Sequence, residues 1–322
     1  DGAKPVGEYN IEARPFVDET IVSRAVSYIE EHRSRDGPFF LYLPFSLVHH
    51  PSLPHPDFDG ATGNGRYADA TVEHDHRVGQ ILDALEQSGL SDNTLVVYAS
   101  DNGPDRAEYP HIGDTGPFRG YLGSVYEGSI RTPMMIRWPG KVAESQATNE
   151  IVAIHDFLPS FANLVGATLP DDRAYDGVNQ MPLLLGETSE SARRSVLFFH
   201  DDTLLAAKWK QFKVYLMREG VEREETSYHD IWAPLIYYTM MNSKDQHNIT
   251  HDAYLWLLSP LMREVMPFAY SVDKYGLILP GDDQRSEATV NIPFFKQSLL
   301  DRSLDALKRQ AMMRKLHEVS GG

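Results

Sequence analysis

The 322 residues contain no cysteine, which excludes disulfides, zinc-thiolate centres and a thiol nucleophile but leaves the compartment open. No apolar run reaches the roughly 18 residues that a membrane span needs, and no cationic-then-apolar leader opens the chain. Basic residues are few beside acidic ones, 30 against 46. The resulting net charge of −16 repels phosphate backbones, so no nucleic acid partner is expected. An initiator methionine is also missing: the chain begins Asp1-Gly2-Ala3-Lys4, as expected of a processed, cut or incompletely represented sequence.

With 42% hydrophobic and 24% charged residues, the composition is that of a globular protein able to bury a substantial core. One large α/β domain with a small appendage is expected. Asp18 and Glu19 precede Ile21, Val22, Ala25, Val26 and Ile29 at helical spacing, which predicts an amphipathic helix over residues 18 to 34. The aromatic run Pro38 to Phe45 then predicts a strand buried on both faces, and the order of helix and strand predicts a parallel sheet. The same unit recurs as a helix over 66 to 88 and a strand over 94 to 99. Residues 133 to 138 are a third such strand, and Asp156 is placed to cap the helix through Phe157, Phe161 and Leu164.

Residues 1 to 190 are expected to form this core. Beyond it, the runs 195 to 200, 204 to 209 and 212 to 217 are short and closely spaced, the pattern of a small antiparallel sheet. Leucines from Leu299 to Leu316 mark a closing amphipathic helix, so residues 191 to 322 form a small C-terminal subdomain.

Three clusters can carry chemistry. Asp101 and Asn102 follow a strand end, where they suit either a hard cation such as Ca²⁺ or Mg²⁺ or an Asx turn closing the strand. His49, His50 and His55 lie in a proline-rich loop, as anion-binding imidazoles or as surface residues. His74 and His76 are two apart on a helix, point to different sides and make no metal pair. The third cluster is the glycine-rich stretch 115 to 133, where Arg119 and Arg131 either bind an anion or pair with Glu127, salt bridging being favoured for Arg131.

Taken together, the order of these pieces resembles the C-terminal portion of type I sulfatases in the alkaline-phosphatase-like superfamily. The resemblance rests on a strand ending in a His-Pro loop, then Ser100-Asp101-Asn102-Gly103-Pro104, Gly116-Pro117-Phe118-Arg119-Gly120, Glu127-Gly128-Ser129-Ile130-Arg131-Thr132-Pro133 and Ile136-Arg137-Trp138-Pro139-Gly140. It continues through Ile154-His155-Asp156, Asp176-Gly177-Val178 and Lys208-Trp209-Lys210, covering most of residues 10 to 280.

The resemblance implies an α/β fold with a mostly parallel sheet flanked by helices. It implies that Asp101 and Asn102 are two of four oxygen-ligand residues for Ca²⁺ (or Mg²⁺), that His49 binds the substrate sulfate, and that Arg119 is a candidate anion-binding residue. The family's formylglycine nucleophile arises in a Cys/Ser-x-Pro-Ser-Arg segment of its N-terminal part, beside two further metal-binding aspartates; no such motif stands in this chain. Thr115-Gly116-Pro117-Phe118-Arg119 has its outline, but oxidised threonine would be a ketone. Leu122 occupies a position where many sulfatases place a sulfate-contacting lysine.

The expected function is therefore an arylsulfatase-like sulfuric ester hydrolase without its nucleophile segment. Its expected partners are a small sulfate ester and an N-terminal segment of the same protein, and its expected compartment is the bacterial periplasm or the exterior. A phosphoester or phosphonate ester hydrolase and a truncated, non-catalytic binding protein are the alternatives.

Overall fold

The computed structural model describes residues 7–106, 113–200, 203–219, 228–251, 253–276 and 292–293. The chain divides into two compact units, one of Asp1–Gly116 with Arg131–Glu144, the other of Pro117–Ile130 with Ser145–Gly322.

In the first unit, helix α1 (Val17–His32) buries Val22, Ala25 and Ile29, and α2 (Arg66–Gln87) buries Ala70, Ala84 and Leu85. Ile29, Ala84 and Leu85 form a core with Val26, Ile81, Leu90, Phe39, Leu41 and Val96. The expected helical spacings are thus the spacings of the buried stripe. The run 38 to 45 differs from expectation. It forms no strand, and while Phe39 and Leu41 pack on the core, Phe40 and Tyr42 are 73% and 72% exposed. Without a ladder partner among the described residues, the segment covers the helices with one face only. Strands β1 (Val96–Ala99) and β2 (Met134–Arg137) pair antiparallel, with Val96 opposite Arg137.

In the second unit, the short α3 (Glu127–Ile130), α4 (Phe157–Leu164) and α5 (Met181–Leu184) precede a four-stranded antiparallel meander. Its strands are β3 (Ser195–His200), β4 (Thr203–Trp209), β5 (Phe212–Glu219) and β6 (Tyr228–Tyr238), the last of which is additional to the three expected. Asp156 stands at the α4 N-cap, but its side chain makes no cap bond there. Instead it accepts the Ala153 N–H at 2.9 Å and the Val178 N–H at 2.8 Å, and both its oxygens engage Arg193. A guanidinium outcompetes a helix terminus for a buried carboxylate because it offers two charge-assisted bonds. The closing helix expected over 299–316 lies outside the described residues.

One face of the meander carries Leu204, Ala207, Val214, Leu216 and Ile236 against Leu261, Val265 and Ala269 of α6 (Leu258–Tyr275). The other face carries Leu205, Ala206, Tyr215 and Tyr237 and receives Val125 and Tyr126 from the segment before α3. Successive residues Leu205 and Ala206 share a face because the register shifts between Phe198 and Phe199, where β4 has one residue more than β3.

Lys208 and Lys213 stand directly opposite each other across β4 and β5. Like charges so placed repel. Glu127 resolves the conflict: its Oε2 accepts from Lys208 Nζ at 2.5 Å and its Oε1 from Lys213 Nζ at 3.0 Å. Lys213, with no exposed side-chain surface, also donates to the Val125 carbonyl at 2.5 Å. Burial alone would raise the Glu127 pKa, but Lys213 and Lys208 outweigh it and bring the group from 4.5 down to about 2. A carboxylate depressed in the folded state contributes stability that is present above pH 4.5 and lost as pH falls towards 2. Urea unfolding at a series of pH values should therefore show the stability advantage of wild type over Glu127→Gln shrinking by about 3 kcal/mol between pH 5 and pH 2. A difference independent of pH would exclude the charged pair.

Candidate functional site

The His49 loop is pinned from both sides by α1 and the turn before it. Asp18, 2% exposed, accepts the Ser46 N–H at 2.8 Å on Oδ1 and the Leu47 N–H at 2.9 Å on Oδ2. Arg14 donates to the carbonyls of His49 at 2.7 Å, His50 at 3.3 Å and Pro51 at 3.0 Å. On this fixed backbone the His49 ring is exposed, with Nδ1 2.5 Å from the His50 carbonyl oxygen. That contact assigns the Nδ1 proton, so Nε2 faces outward as an acceptor in the neutral ring and a donor in the imidazolium.

The neighbouring histidines are committed elsewhere. The His55 ring, 12% exposed, lies 3.7 Å from Glu19 and 3.4 Å from Asp57, edge-on to Phe16, while its backbone N–H donates to the fully buried Glu73 at 2.6 Å. Glu73 in turn holds Arg77 on the next helical turn at 3.2 Å. His74 packs on Phe45 and bonds the Tyr98 hydroxyl at 3.1 Å. Burial lowers its pKa against the opposing fields of Asp18, Asp75 and Glu73, which favours the neutral ring.

Asp101 and Asn102 follow β1. The Ser100 N–H reaches the Pro133 carbonyl at 3.3 Å and the Thr132 hydroxyl donates to the Ser100 carbonyl at 2.9 Å, tying the strand end down. Asp101 Oδ1 accepts the Asn102 N–H at 2.8 Å, and Asn102 Nδ2 donates to the Gly103 carbonyl at 2.8 Å. Asp101 Oδ2 and Asn102 Oδ1 accept no hydrogen bond from a described residue. Two uncommitted oxygens, one of them anionic, fit part of a hard cation's shell of six to eight ligands. Among the described residues no group of three or more His, Cys, Asp or Glu side chains could hold a metal ion.

Arg119, in the second unit, has its guanidinium carbon 4.1 Å from the centroid of the Tyr126 ring. Glu127, an alternative partner expected for the arginines of this stretch, is engaged by the two sheet lysines.

Sequence reasoning missed Asp18, Arg14, Glu73 and Glu127 as the residues that hold these loops. Asp18 in a first helical turn has the same signature as any dipole-complementing acid. The lysine pair was more accessible: Trp209 opposite Phe212 makes Lys210-Gln211 a two-residue hairpin, which places Lys208 opposite Lys213.

In Asp18→Asn, one amide oxygen replaces two carboxylate oxygens. The Ser46 and Leu47 amides should lose hydrogen-exchange protection and the fold about 1 to 3 kcal/mol, while the Ser100 amide exchanges as before. Unchanged exchange at Ser46 and Leu47 would show that α1 does not hold the loop.

The sulfatase family model matches residues 4–167, a span containing all four candidate residues. Over 183 residues the chain is 39% identical to the steryl-sulfatase of Rattus norvegicus, covering 55% of this chain and 32% of that protein. Over 252 residues it is 30% identical to the N-acetylgalactosamine-6-sulfatase of Mus musculus, covering 78% and 48%. The crystal structure of the PsFucS1 sulfatase from Pseudoalteromonas sp. aligns with a TM-score of 0.80 at 25% identity, over 88% of this chain and 57% of that one. The chain thus spans between about a third and a half of the length of these curated relatives. It carries the α/β fold of alkaline-phosphatase-like sulfatases, and it belongs to the sulfatase family.

Proposed function

We propose that this chain is the sulfate-binding and metal-completing part of a sulfuric ester hydrolase acting on small sulfate esters. The observation that carries the reading is the family match across residues 4–167, which brings His49, Asp101, Asn102 and Arg119 into one sulfatase segment. His49 binds a sulfate oxygen through its outward Nε2, which can donate only from the protonated ring because Nδ1 is engaged with the His50 carbonyl. Asp101 Oδ2 and Asn102 Oδ1 contribute to the shell of Ca²⁺ or Mg²⁺, which when bound neutralises charge on a sulfate oxygen. Arg119 is a further anion-binding residue. The nucleophile is not among these residues. A formylglycine needs a Cys/Ser-x-Pro-Ser-Arg segment, and none occurs in the 322 residues. Among the described residues no helix is long and apolar enough to cross a membrane.

A second reading is favoured by Leu122, which is 46% exposed where many sulfatases place a lysine on the sulfate. Without that cation, a phosphoester or phosphonate ester is an equally suitable tetrahedral oxyanion.

The test is turnover of 4-nitrophenyl sulfate and 4-nitrophenyl phosphate by the chain alone and co-produced with a segment carrying Cys/Ser-x-Pro-Ser-Arg. Losing a covalent nucleophile costs on the order of 10⁶ in rate, so the chain alone should be nearly inactive. The combination should hydrolyse the sulfate, and His49→Ala should slow it by about 10²-fold, the cost of one oxyanion donor. Rapid hydrolysis by the chain alone that survives both His49→Ala and Asp101→Ala would exclude this mechanism. Preference for the phosphate would favour the second reading.

A further inference from the structure

The Arg119 segment is a closed loop seated on a charged anchor. The Gly128 N–H donates to the Arg119 carbonyl at 2.7 Å, and the loop is too tight for side chains at its crossing. A Cβ on Gly128 would meet the Arg119 carbonyl oxygen at 2.7 Å; one on Gly120, where φ is +94°, would meet Tyr126 Cβ at 2.6 Å. Next to Gly128, Glu127 bridges Lys208 and Lys213, and Lys213 also holds the Val125 carbonyl. The ring of Tyr126, between these two anchored residues, lies 5.6 Å from the Tyr215 ring and carries the Arg119 guanidinium on its face.

A competing partner for Arg119 stands nearby. The Tyr215 hydroxyl donates to Asp245 Oδ2 at 2.5 Å, while Asp245 Oδ1 is buried without a hydrogen-bond partner. Arg119 lies close enough for its field to act on Asp245, yet the two form no ion pair among the described contacts. An unpaired carboxylate oxygen offers a guanidinium a charge-assisted bond, against which burial raises the Asp245 pKa and disfavours its charged form. Arg119 nevertheless stays on the face of Tyr126.

We propose that Glu127 is a positioning residue for anion binding: seated between Lys208 and Lys213, it keeps Arg119 stacked on Tyr126, out of reach of Asp245 and available to an oxyanion. This rests on the anion-binding role of Arg119 given above. The two ideas are separable, because Glu127 touches no ligand and its charge opposes anion binding. Electrostatics alone makes Glu127→Gln bind an anion more tightly; lost positioning makes it bind more weakly.

The experiment is calorimetric titration of the 322-residue chain with inorganic sulfate, and separately with inorganic phosphate. The variants are Arg119→Ala, Glu127→Gln, Glu127→Asp and the double variant Glu127→Gln/Asp245→Asn. Arg119→Ala should lose most of the sulfate affinity. Glu127→Gln should weaken it about tenfold, the scale of one charge-assisted bond, and Asp245→Asn in the same chain should restore it by removing the competitor. Glu127→Asp retains the charge between the lysines but shortens the side chain; it should weaken binding severalfold, and it carries the test should Glu127→Gln not fold. Glu127 variants that bind sulfate as tightly as wild type or more tightly would overturn the positioning role. Sulfate affinity unaffected by Arg119→Ala would overturn the anion-binding reading itself.

Discussion

Two lysines face each other on neighbouring strands of the second unit, and one glutamate from a four-residue helix lies between them. Desolvating three charges is costly, and each lysine alone would be repelled by the other. The arrangement is stable because Glu127 satisfies both, and Lys213 finds a further acceptor in the Val125 carbonyl. The same contacts attach residues 125 to 130 to a sheet face that also buries Val125 and Tyr126. Removing one member of such a group leaves another charge buried and unpaired, typically a loss of about 3 to 5 kcal/mol.

Buried carboxylates hold other loop segments in the same way. Asp18 anchors the backbone ahead of His49, Glu73 holds His55 through its N–H, and Asp156 binds Arg193 together with the N–H groups of Ala153 and Val178. In each case the acid is almost wholly inaccessible, while the segments they hold are partly buried or, at His49, exposed. Ligand-facing residues sit on loops, loops lack a ladder to satisfy their amides, and an internal carboxylate supplies the missing acceptors without covering the outward side chain. His49 shows the outcome, with a backbone held by Arg14 and Asp18 and a ring open to solvent.

Elements whose pattern repeats locally were legible in the sequence. Helices α1 and α2 lie within two residues of their expected bounds because their apolar stripes have the helical period. The first three meander strands were legible from short apolar runs between turns. The run 38 to 45 was misread because aromatic content signals a strand, whereas burial of both faces depends on neighbours that the run itself does not encode. The residues now seen to hold the loops were hidden for a related reason. Asp18 bonds amides 28 and 29 residues away, and Glu127 meets lysines 81 and 86 residues away. For the candidate site, the residue types and their order were legible through the family resemblance, and the partners that orient them were not.

The clamp on the Arg119 loop is tested most directly by crystal structures of the wild-type chain and of Glu127→Asp, read at one separation. In wild type the Arg119 guanidinium carbon should lie near 4.1 Å from the Tyr126 ring centroid, with Glu127 bonded to both lysines. In the variant that separation should exceed about 6 Å, the limit of a cation–π contact, with the guanidinium turned to Asp245 Oδ1. A variant in which Arg119 remains stacked on Tyr126 and Asp245 stays unpaired would contradict the clamp.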